Sequence, residues 1–344
     1  MPDIARRTAM SMALVFGVSL VTGFAPTAHA AEVKPLDPPQ KVRMAYVPIM
    51  KFATAYVAAD RGLFKKYGLD VDLEKVKSGT EAIAFLTQGS VDVGGIAIVT
   101  SLWNSWNRGL DIRIIAPGGL EPMKDSPTNL LVSAKATGVK SLSDLKGKKI
   151  GAAGGPGSGG EYLVAKALER AHLTIRDVNL VNVGNPDIPA ALASGSVDAA
   201  LAGPPFSEQA ITSGAAKVLA TDLTPGLMTV AFVGSGKFIK ERPEVAKRFV
   251  LAMTEAARLM QGDGYLSKEN VDAYLKYTAS TEAAIKKAKP AVYDPNMDIP
   301  VKGLADVERV YRENGRTDYD KPIDLKKVVD NTFVNDAIAV LGKK

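Results

Sequence analysis

The chain has 344 residues and a formal net charge of +6, from 43 lysine and arginine residues against 37 aspartate and glutamate residues. It contains no cysteine, which excludes disulfides, thiol nucleophiles, thiolate metal sites and a lipid-bearing cysteine. Basic residues are interspersed with acidic ones, and few aromatic residues lie among them, so nucleic acid is not an expected partner. The length is sufficient for two domains.

The first segment is typical of a cleaved export signal. Arg6 and Arg7 precede an apolar run over 9–24, and the tripeptide AHA at 28–30 has the small residues that signal peptidase accepts. We therefore expect residues 1–30 to be removed and the mature chain to be periplasmic. An uncleaved anchor is the alternative, but the run is short for a membrane helix, and the mature chain is not expected to be embedded in the membrane.

Strand-like and helix-like segments alternate along the next part of the chain. The spacing of apolar residues predicts helices at 53–67, 81–88 and 100–109, between strands at 42–47, 69–76, 91–95 and 111–116. Strands separated by helices indicate a parallel sheet that is covered on both faces.

The same order of segments then recurs. Strands are predicted at 149–153, 178–183 and 197–201, with a helix at 162–170 and a second one that ends at 194–195. The tetrapeptide GSVD occurs at 89–92 and again at 195–198, each time after a short helix and before a strand. We interpret this pattern as two related α/β halves.

Two strand-like runs, at 128–134 and 228–234, bracket the second half and predict two crossings that form a hinge. The expected lobe I comprises 41–128 together with 234–344, and lobe II comprises 129–233. Lobe I is discontinuous because the tail is expected to return to it. The tail is predicted to be helical from Pro243 onward, with further helices at 268–277, 281–289, 303–314 and 325–341.

A glycine-rich loop, GGPGSGGE at 154–161, joins the strand at 149–153 to the helix at 162–170. Bare backbone amides and the positive end of the helix dipole favour an oxyanion or a polar ligand edge above such a helix start. A tight connection without a ligand is the alternative. The loop also matches the dinucleotide fingerprint, but the proline in the turn and the export signal argue against it.

Three motifs carry a family resemblance: ADRGLFKKYGLDV at 59–71, LTQGSVDVG at 86–94 and SLSDLKGKKIG at 141–151, which the glycine loop follows. Over 42–259 the chain resembles the periplasmic substrate-binding proteins of ABC transporters, in the branch for nitrate, alkanesulfonates, taurine and thiamine-pyrimidine precursors. The resemblance implies an α/β, two-lobed type II periplasmic-binding-protein fold, in which each lobe is a mainly parallel sheet flanked by helices and a two-strand hinge joins the lobes.

The same resemblance implies a monomer that closes on a small-molecule ligand and delivers it to an ABC permease driven by a cytoplasmic ATPase, without a cofactor. Ligands of open α/β sheets bind beyond the carboxyl ends of the strands. The candidate ligand-binding residues at those ends are Tyr46, Pro48, Gly79, Thr80, Gly95, Ile96, Ala97, Gly157, Ser158, Gly159, Glu161, Gly203 and Pro204.

Tyr46 would stack on the ligand or donate its hydroxyl, with a core aromatic residue as the alternative. Ser158 and the amides of Gly159 and Gly160 are the expected donors from lobe II. The turn at 203–205 would form a rigid wall, with an ordinary turn as the alternative.

Glu161 stands where several sulfonate- and nitrate-binding relatives carry a histidine. A carboxylate there repels an anion unless it is protonated or turned away, and pyrimidine-binding relatives tend to carry an acid nearby. The ligand class therefore stays open between sulfonate, carboxylate and pyrimidine-like solutes.

An exported enzyme on the same fold is the alternative function. The enzymes known on this fold, a pyrimidine synthase and a desulfinase, use cysteine chemistry that this chain lacks. His172 is the one histidine beyond the signal, so neither a histidine triad nor a histidine metal cluster is expected.

Overall fold

The computed structural model describes residues 33–344, so the predicted signal at 1–30 lies outside the described residues. The strands are β1 (Gln40–Tyr46), β2 (Leu69–Lys75), β3 (Val93–Ala97), β4 (Ile112–Pro117), β5 (Asn129–Ser133), β6 (Lys149–Ala152), β7 (Asn179–Asn182), β8 (Ala199–Ala202), β9 (Ala216–Ala220) and β10 (Val230–Ser235).

The α-helices are α1 (Ala53–Asp60), α2 (Leu63–Lys66), α3 (Gly79–Gln88), α4 (Thr100–Asn107), α5 (Gly159–Glu169), α6 (Ile188–Ser194), α7 (Phe206–Thr212), α8 (Gly236–Glu241), α9 (Pro243–Leu259), α10 (Lys268–Tyr277), α11 (Glu282–Lys287), α12 (Val301–Glu313) and α13 (Thr332–Leu341). No helix among residues 33–344 is long and apolar enough to cross a bilayer.

The strands form two five-stranded sheets with matching order. The first sheet runs β2-β1-β3-β10-β4 and the second runs β7-β6-β8-β5-β9. In each sheet one strand is antiparallel to both of its neighbours, β10 in the first and β5 in the second, and the other pairings are parallel. The predicted α/β class with two mainly parallel, helix-flanked sheets is confirmed.

The repeated GSVD tetrapeptide performs the same task in both sheets. Its glycine ends a helix in the left-handed conformation, at Gly89 with a φ of 69° and at Gly195 with a φ of 75°. Its aspartate accepts a hydrogen bond from the backbone N–H of the neighbouring strand, Arg43 to Asp92 and Lys149 to Asp198, each at 2.9 Å. The two halves therefore share these contacts at the tetrapeptide as well as the order of their strands.

The chain passes between the sheets twice. It leaves β4 at Pro117 and enters β5 at Asn129, then leaves β9 at Ala220 and enters β10 at Val230. We call 118–128 the first crossing and 221–229 the second crossing. The crossings are hydrogen-bonded to each other, since the N–H of Glu121 donates to the carbonyl of residue 227 at 3.0 Å.

Most of the helical tail packs on the first sheet. α9 contacts α1 and α13, and α10 contacts α1. The apolar face predicted for α9 is buried, with Phe249 and Met253 fully inaccessible. α12 differs, because it contacts α5 of the second sheet.

Several predicted boundaries are corrected. The single helix expected at 53–67 is two helices, because Gly62 adopts a φ of 70° between them. The last helix begins at Thr332, and the segment Leu325–Lys327 that precedes it is a short 3-10 turn. The strand β9 and the helices α7 and α8 were not predicted, since their segments are short.

Candidate functional site

A cavity lies between the two sheets, at the carboxyl ends of their parallel strands. The cavity has a volume of about 130 Å³. Both sheets, both crossings and the tail contribute to its walls. Seven of the predicted ligand-binding residues line it: Gly79, Thr80, Ala97, Ser158, Gly159, Gly203 and Pro204. These seven residues lie at or after strand ends, where ligands of open α/β sheets bind.

The lining has a consistent chemical character. Most lining side chains are apolar, among them Phe52, Leu163 and Ile285. The charged side chains that line the cavity are lysines, at positions 51, 77 and 289, and no aspartate or glutamate of the described residues lines it. The walls therefore suit an organic molecule that carries no positive charge.

Two helices begin at the cavity. α3 starts after Ser78 and α5 starts after Ser158, and in each case the serine hydroxyl oxygen accepts a hydrogen bond from a backbone N–H in the first turn. The N–H groups of residues 79, 80, 159 and 160 have no acceptor among residues 33–344. Because the first-turn N–H groups of a helix have no partner within it, they are available to a ligand.

Ala97, at the end of β3, lies between these two helix starts. A Cβ added to Gly159 would lie 2.7 Å from the Cβ of Ala97, so the second-sheet helix approaches the first sheet as closely as a glycine permits. A Cβ on Gly79 would lie 3.4 Å from the backbone of Ala97, which is near ordinary contact. The backbone N–H of Thr100 also donates to the carbonyl of Gly157 at 2.9 Å. The glycine loop thus packs directly against the first sheet.

A buried ion pair lies beside the cavity at the crossings. Lys51 contacts Glu121 of the first crossing, and the side chains are 9% and 1% exposed. The Lys51 ammonium also donates to the hydroxyl of Thr229 in the second crossing at 3.0 Å. Ser126 donates its hydroxyl to the second carboxylate oxygen of Glu121. One lysine thus joins both crossings, and pairing compensates the buried charge.

Tyr46 and Pro48 are not among the lining residues. Tyr46 is 1% exposed and packs edge-on against Tyr56, with ring centroids 5.3 Å apart. Its hydroxyl contacts the backbone carbonyl of Tyr277 at 3.4 Å. Burial, with a contribution from Tyr277, raises the pKa of Tyr46 to about 12. This environment corresponds to the core-aromatic alternative.

Gly95 and Ile96 are also outside the lining. Both belong to β3 in the centre of the first sheet. A Cβ on Gly95 would lie 3.1 Å from Met44 and 3.2 Å from Phe52, and Ile96 is fully buried. The strand end reaches the cavity only at Ala97.

Glu161 and Gly157 are turned away from the cavity. Glu161 is fully buried, and Arg316 donates from its Nε to both carboxylate oxygens at 2.9 and 3.0 Å. One of those oxygens also accepts the N–H of Gly157 at 2.8 Å. The carboxylate therefore holds the glycine loop against the tail, and its charge is compensated inside the protein.

α12 connects the second sheet to the first beside this ion pair. The Tyr311 hydroxyl lies 2.9 Å from the carbonyl oxygen of Ile98, after β3, and 2.8 Å from that of Ser158, before α5. Asp306, which precedes Tyr311 on α12, accepts a hydrogen bond from the hydroxyl of Tyr162 at 2.7 Å. Burial and the nearby Glu161 carboxylate raise the pKa of Tyr311, so its hydroxyl keeps the proton it donates.

Sequence reasoning missed several lining residues. Lys51 lies in the segment that follows β1, three residues beyond Pro48, and Thr128 and Thr229 lie at the predicted crossings. Their positions after strand ends and at crossings were the available signal. The tail also lines the cavity, through 280–291, and no local pattern in that helical segment indicated it.

The fold is similar to that of solved ligand-binding proteins, among them a component of an ABC-type import system. A ligand-binding component of this type from Staphylococcus aureus superposes with a TM-score of 0.72 at 16% identity, covering 87% of this chain and 99% of that chain. The periplasmic nitrate-binding protein of Synechocystis gives a TM-score of 0.74 at 15% identity, with coverages of 88% and 89%. At identities this low, the structural similarity shows the fold alone.

The family model described as NMT1/THI5 like matches residues 49–263, and the chain belongs to this family. A Brucella abortus relative named as a binding protein is 27% identical over 290 residues, which is 83% of each chain. A Bacillus subtilis relative named for aliphatic sulfonates is 27% identical over 294 residues, 80% of each chain. A Saccharomyces cerevisiae relative is named 4-amino-5-hydroxymethyl-2-methylpyrimidine phosphate synthase, at 23% identity over 233 residues, 63% of this chain and 66% of the relative.

Proposed function

We propose that the chain is the periplasmic solute-binding component of an ABC importer. It binds one small organic solute in the cavity between the sheets and delivers it unaltered to a membrane permease that a cytoplasmic ATPase drives. The observation that carries this proposal is the mostly apolar cavity, which both sheets enclose and at which first-turn N–H groups of two helices lack acceptors among the described residues.

The lining chemistry supports binding over catalysis. No histidine, aspartate or glutamate among the described residues lines the cavity, and these are the usual general bases. Lys51 is engaged by Glu121 and Lys289 by Asp125, so Lys77 is the one lining lysine for which no carboxylate partner is found among residues 33–344. The relative named for aliphatic sulfonates supports a solute that joins an apolar body to a polar group.

Opening and closing is the motion that the proposal requires. We infer that lobe I (41–128 with 234–344) and lobe II (129–233) rotate about the two crossings, as a hinge between rigid sheets would. The contacts of Tyr311 with Ser158 and of Arg316 with Glu161 must then either break on opening or move with lobe II.

Native mass spectrometry of the chain purified from the periplasm of an exporting bacterium tests the function. The expected result is a one-to-one complex with a small solute, which denaturation releases at the same mass. Incubation of the complex should leave that mass unchanged. A steady conversion of the solute would instead favour the enzyme alternative that the yeast relative represents.

A cavity-filling variant supplies the matched test of the site. Ala153 lines the cavity directly before the glycine loop and is partly accessible to solvent. Ala153→Trp should therefore fill the cavity and abolish solute retention. Ala193→Trp, at an exposed position on α6 outside the lining, should retain solute like the unmodified chain. Equal retention by both variants would contradict binding in this cavity.

A further inference from the structure

Lys51 is a buried cation with an unused donor beside the cavity. Its ammonium carries three N–H groups. One donates to Glu121 and one to Thr229, and no third acceptor exists among residues 33–344. The lysine lines the cavity, whereas Glu121 does not. An acceptor for the remaining N–H would have to come from the cavity that Lys51 lines, and the compensating carboxylate lies outside that lining.

Other donors converge on the same space. The first-turn N–H groups of α3 and α5 lie on either side of Ala97, and both helices have their positive dipole ends at the cavity. No carboxylate of the described residues lines the cavity to compete for these donors. The Lys51 ammonium has two acceptors for its three N–H groups, and a buried N–H without an acceptor is costly.

We propose that Lys51 determines the charge of the solute by donating its third N–H to an oxyanion group, a carboxylate or a sulfonate, on an apolar body. Glu121 is a positioning residue, because it holds the ammonium from outside the lining, whereas Thr229 both accepts from the ammonium and lines the cavity. The inference rests on the proposed function and names the residue that makes the cavity selective.

The same contacts join the solute to the hinge. Glu121 lies in the first crossing and Thr229 at the end of the second, and Ser126 fixes the Glu121 carboxylate within the first crossing. An oxyanion bound to Lys51 completes the hydrogen bonding of a group that both crossings hold in place. Solute charge therefore stabilises the arrangement of the crossings seen in this structure.

Titration calorimetry with three matched probes tests the inference: hexanoate and hexanesulfonate, which are anions, and hexanamide, which is neutral. The unmodified chain should bind at least one anion about ten-fold more tightly than hexanamide, the gain expected of a charge-assisted hydrogen bond. Lys51→Met should lower that ratio several-fold, and hexanamide binding by the same variant reports any general loss of affinity.

Three further variants keep the test decisive. Lys51→Met alone leaves Glu121 buried without its partner, so the double variant Lys51→Met with Glu121→Gln removes both charges and should show the same several-fold lower ratio. Lys77→Met removes an exposed lysine of the same lining and should keep most of the ten-fold ratio, because solvent screens that charge. Thr229→Val should lower the ratio by a smaller factor than loss of Lys51.

The outcomes distinguish a failure of the role assigned to Lys51 from a failure of the proposed function. An unmodified chain that binds hexanamide as tightly as both anions, or a Lys51→Met variant that keeps the ten-fold ratio, overturns the role of Lys51 and leaves solute binding intact. Failure to bind any of the three probes at millimolar concentration also overturns it. Whether the chain carries a solute at all is decided separately by the mass spectrometry of the purified chain.

Discussion

The two helices that begin at the cavity have the same cap chemistry but different surroundings. At the start of α3, Ser78 accepts the N–H of Glu81 at 3.4 Å, and the Glu81 carboxylate accepts the N–H of Lys77 at 2.7 Å. This cap is local and partly accessible to solvent. It stabilises α3 without reference to any distant part of the chain.

At the start of α5 the same pattern is built into a larger assembly. Ser158 accepts the N–H of Glu161 at 3.3 Å, and the Glu161 carboxylate accepts the N–H of Gly157 at 2.8 Å. Here the glutamate is fully buried and also paired with Arg316, and the carbonyl of Ser158 contacts Tyr311. The comparison teaches that one wall of the cavity is set locally, whereas the other is held in place by the tail.

Removing the glutamate should therefore cost far more at α5 than at α3. Glu161→Ala leaves Arg316 without its partner and frees the glycine loop, and we expect the free energy of unfolding to fall by about 2–3 kcal/mol, since Arg316 is partly exposed. Glu81→Ala should cost less than about 1 kcal/mol. Urea denaturation of both variants measures the difference, and equal losses would contradict the buried role of Glu161.

Tyr311→Phe isolates the hydroxyl that lies between the sheets. We expect a loss of about 1–2 kcal/mol in the free energy of unfolding, because two buried carbonyl oxygens lose their shared donor. Tyr274→Phe is the matched control, since its buried hydroxyl contacts only the carbonyl of Tyr265 within the tail, at 3.0 Å.

The two tyrosine variants should also differ in their radius of gyration. Only Tyr311→Phe removes a contact between α12 and the second sheet, so only this variant should increase the radius of gyration in small-angle X-ray scattering without solute. A similar increase for Tyr274→Phe would mean that general loosening, and not the bridging hydroxyl, changes the shape.

The glycines at the first position of each helix give a smaller contrast. Gly159→Ala places a Cβ 2.7 Å from that of Ala97 and forces the glycine loop away from β3, so we expect a net loss of about 1 kcal/mol in the free energy of unfolding. Gly79→Ala meets the same residue at 3.4 Å and should be close to neutral. Thermal unfolding at one pH measures both, and a neutral Gly159→Ala would show that the two sheets need not approach so closely there.

The sequence predicted the architecture because its signals are local and repeated. Apolar periodicity and the GSVD repeat identified most strands, and the repeat marks equivalent aspartates, Asp92 and Asp198, that bind equivalent strands. The runs predicted as crossings, 128–134 and 228–234, contain β5 and most of β10, and the chain passes between the sheets in the segments that precede these strands. These features depend on neighbours in sequence, which a single chain reveals.

The assignments of individual side chains depended on distant partners. Glu161 was expected at the ligand, but its carboxylate is paired with Arg316, 155 positions later. Tyr46 was expected to face the ligand, but its hydroxyl contacts residue 277. Neither partner is marked by a local pattern. Lys51 was overlooked for the same reason, because its burial depends on Glu121 and Thr229.

The smallest expected effect is a pH-dependent change in stability at the contact of α12 with α5. Among the described residues, the start of α3 has no comparable contact with α12. Burial acts to raise the pKa of Asp306, but hydrogen bonds from Arg309 and Tyr162 outweigh it and hold the pKa below the ordinary 3.8. A carboxyl whose pKa is lowered by folding adds stability above its ordinary pKa and loses it as pH falls through the folded value. The deficit in the free energy of unfolding of Asp306→Asn should thus be present at pH 7 and shrink below about pH 4.

Asp272→Asn, at an exposed carboxylate on α10 paired with Lys268, is the control and should cost little at either pH. Urea denaturation at neutral and acidic pH compares the two variants. A deficit for Asp306→Asn that stays constant between them would mean that Asp306 supports α12 through its shape and hydrogen-bond geometry. In that case the charge of the carboxylate would contribute nothing to the attachment of α12 to the second sheet, and the link would persist in acid.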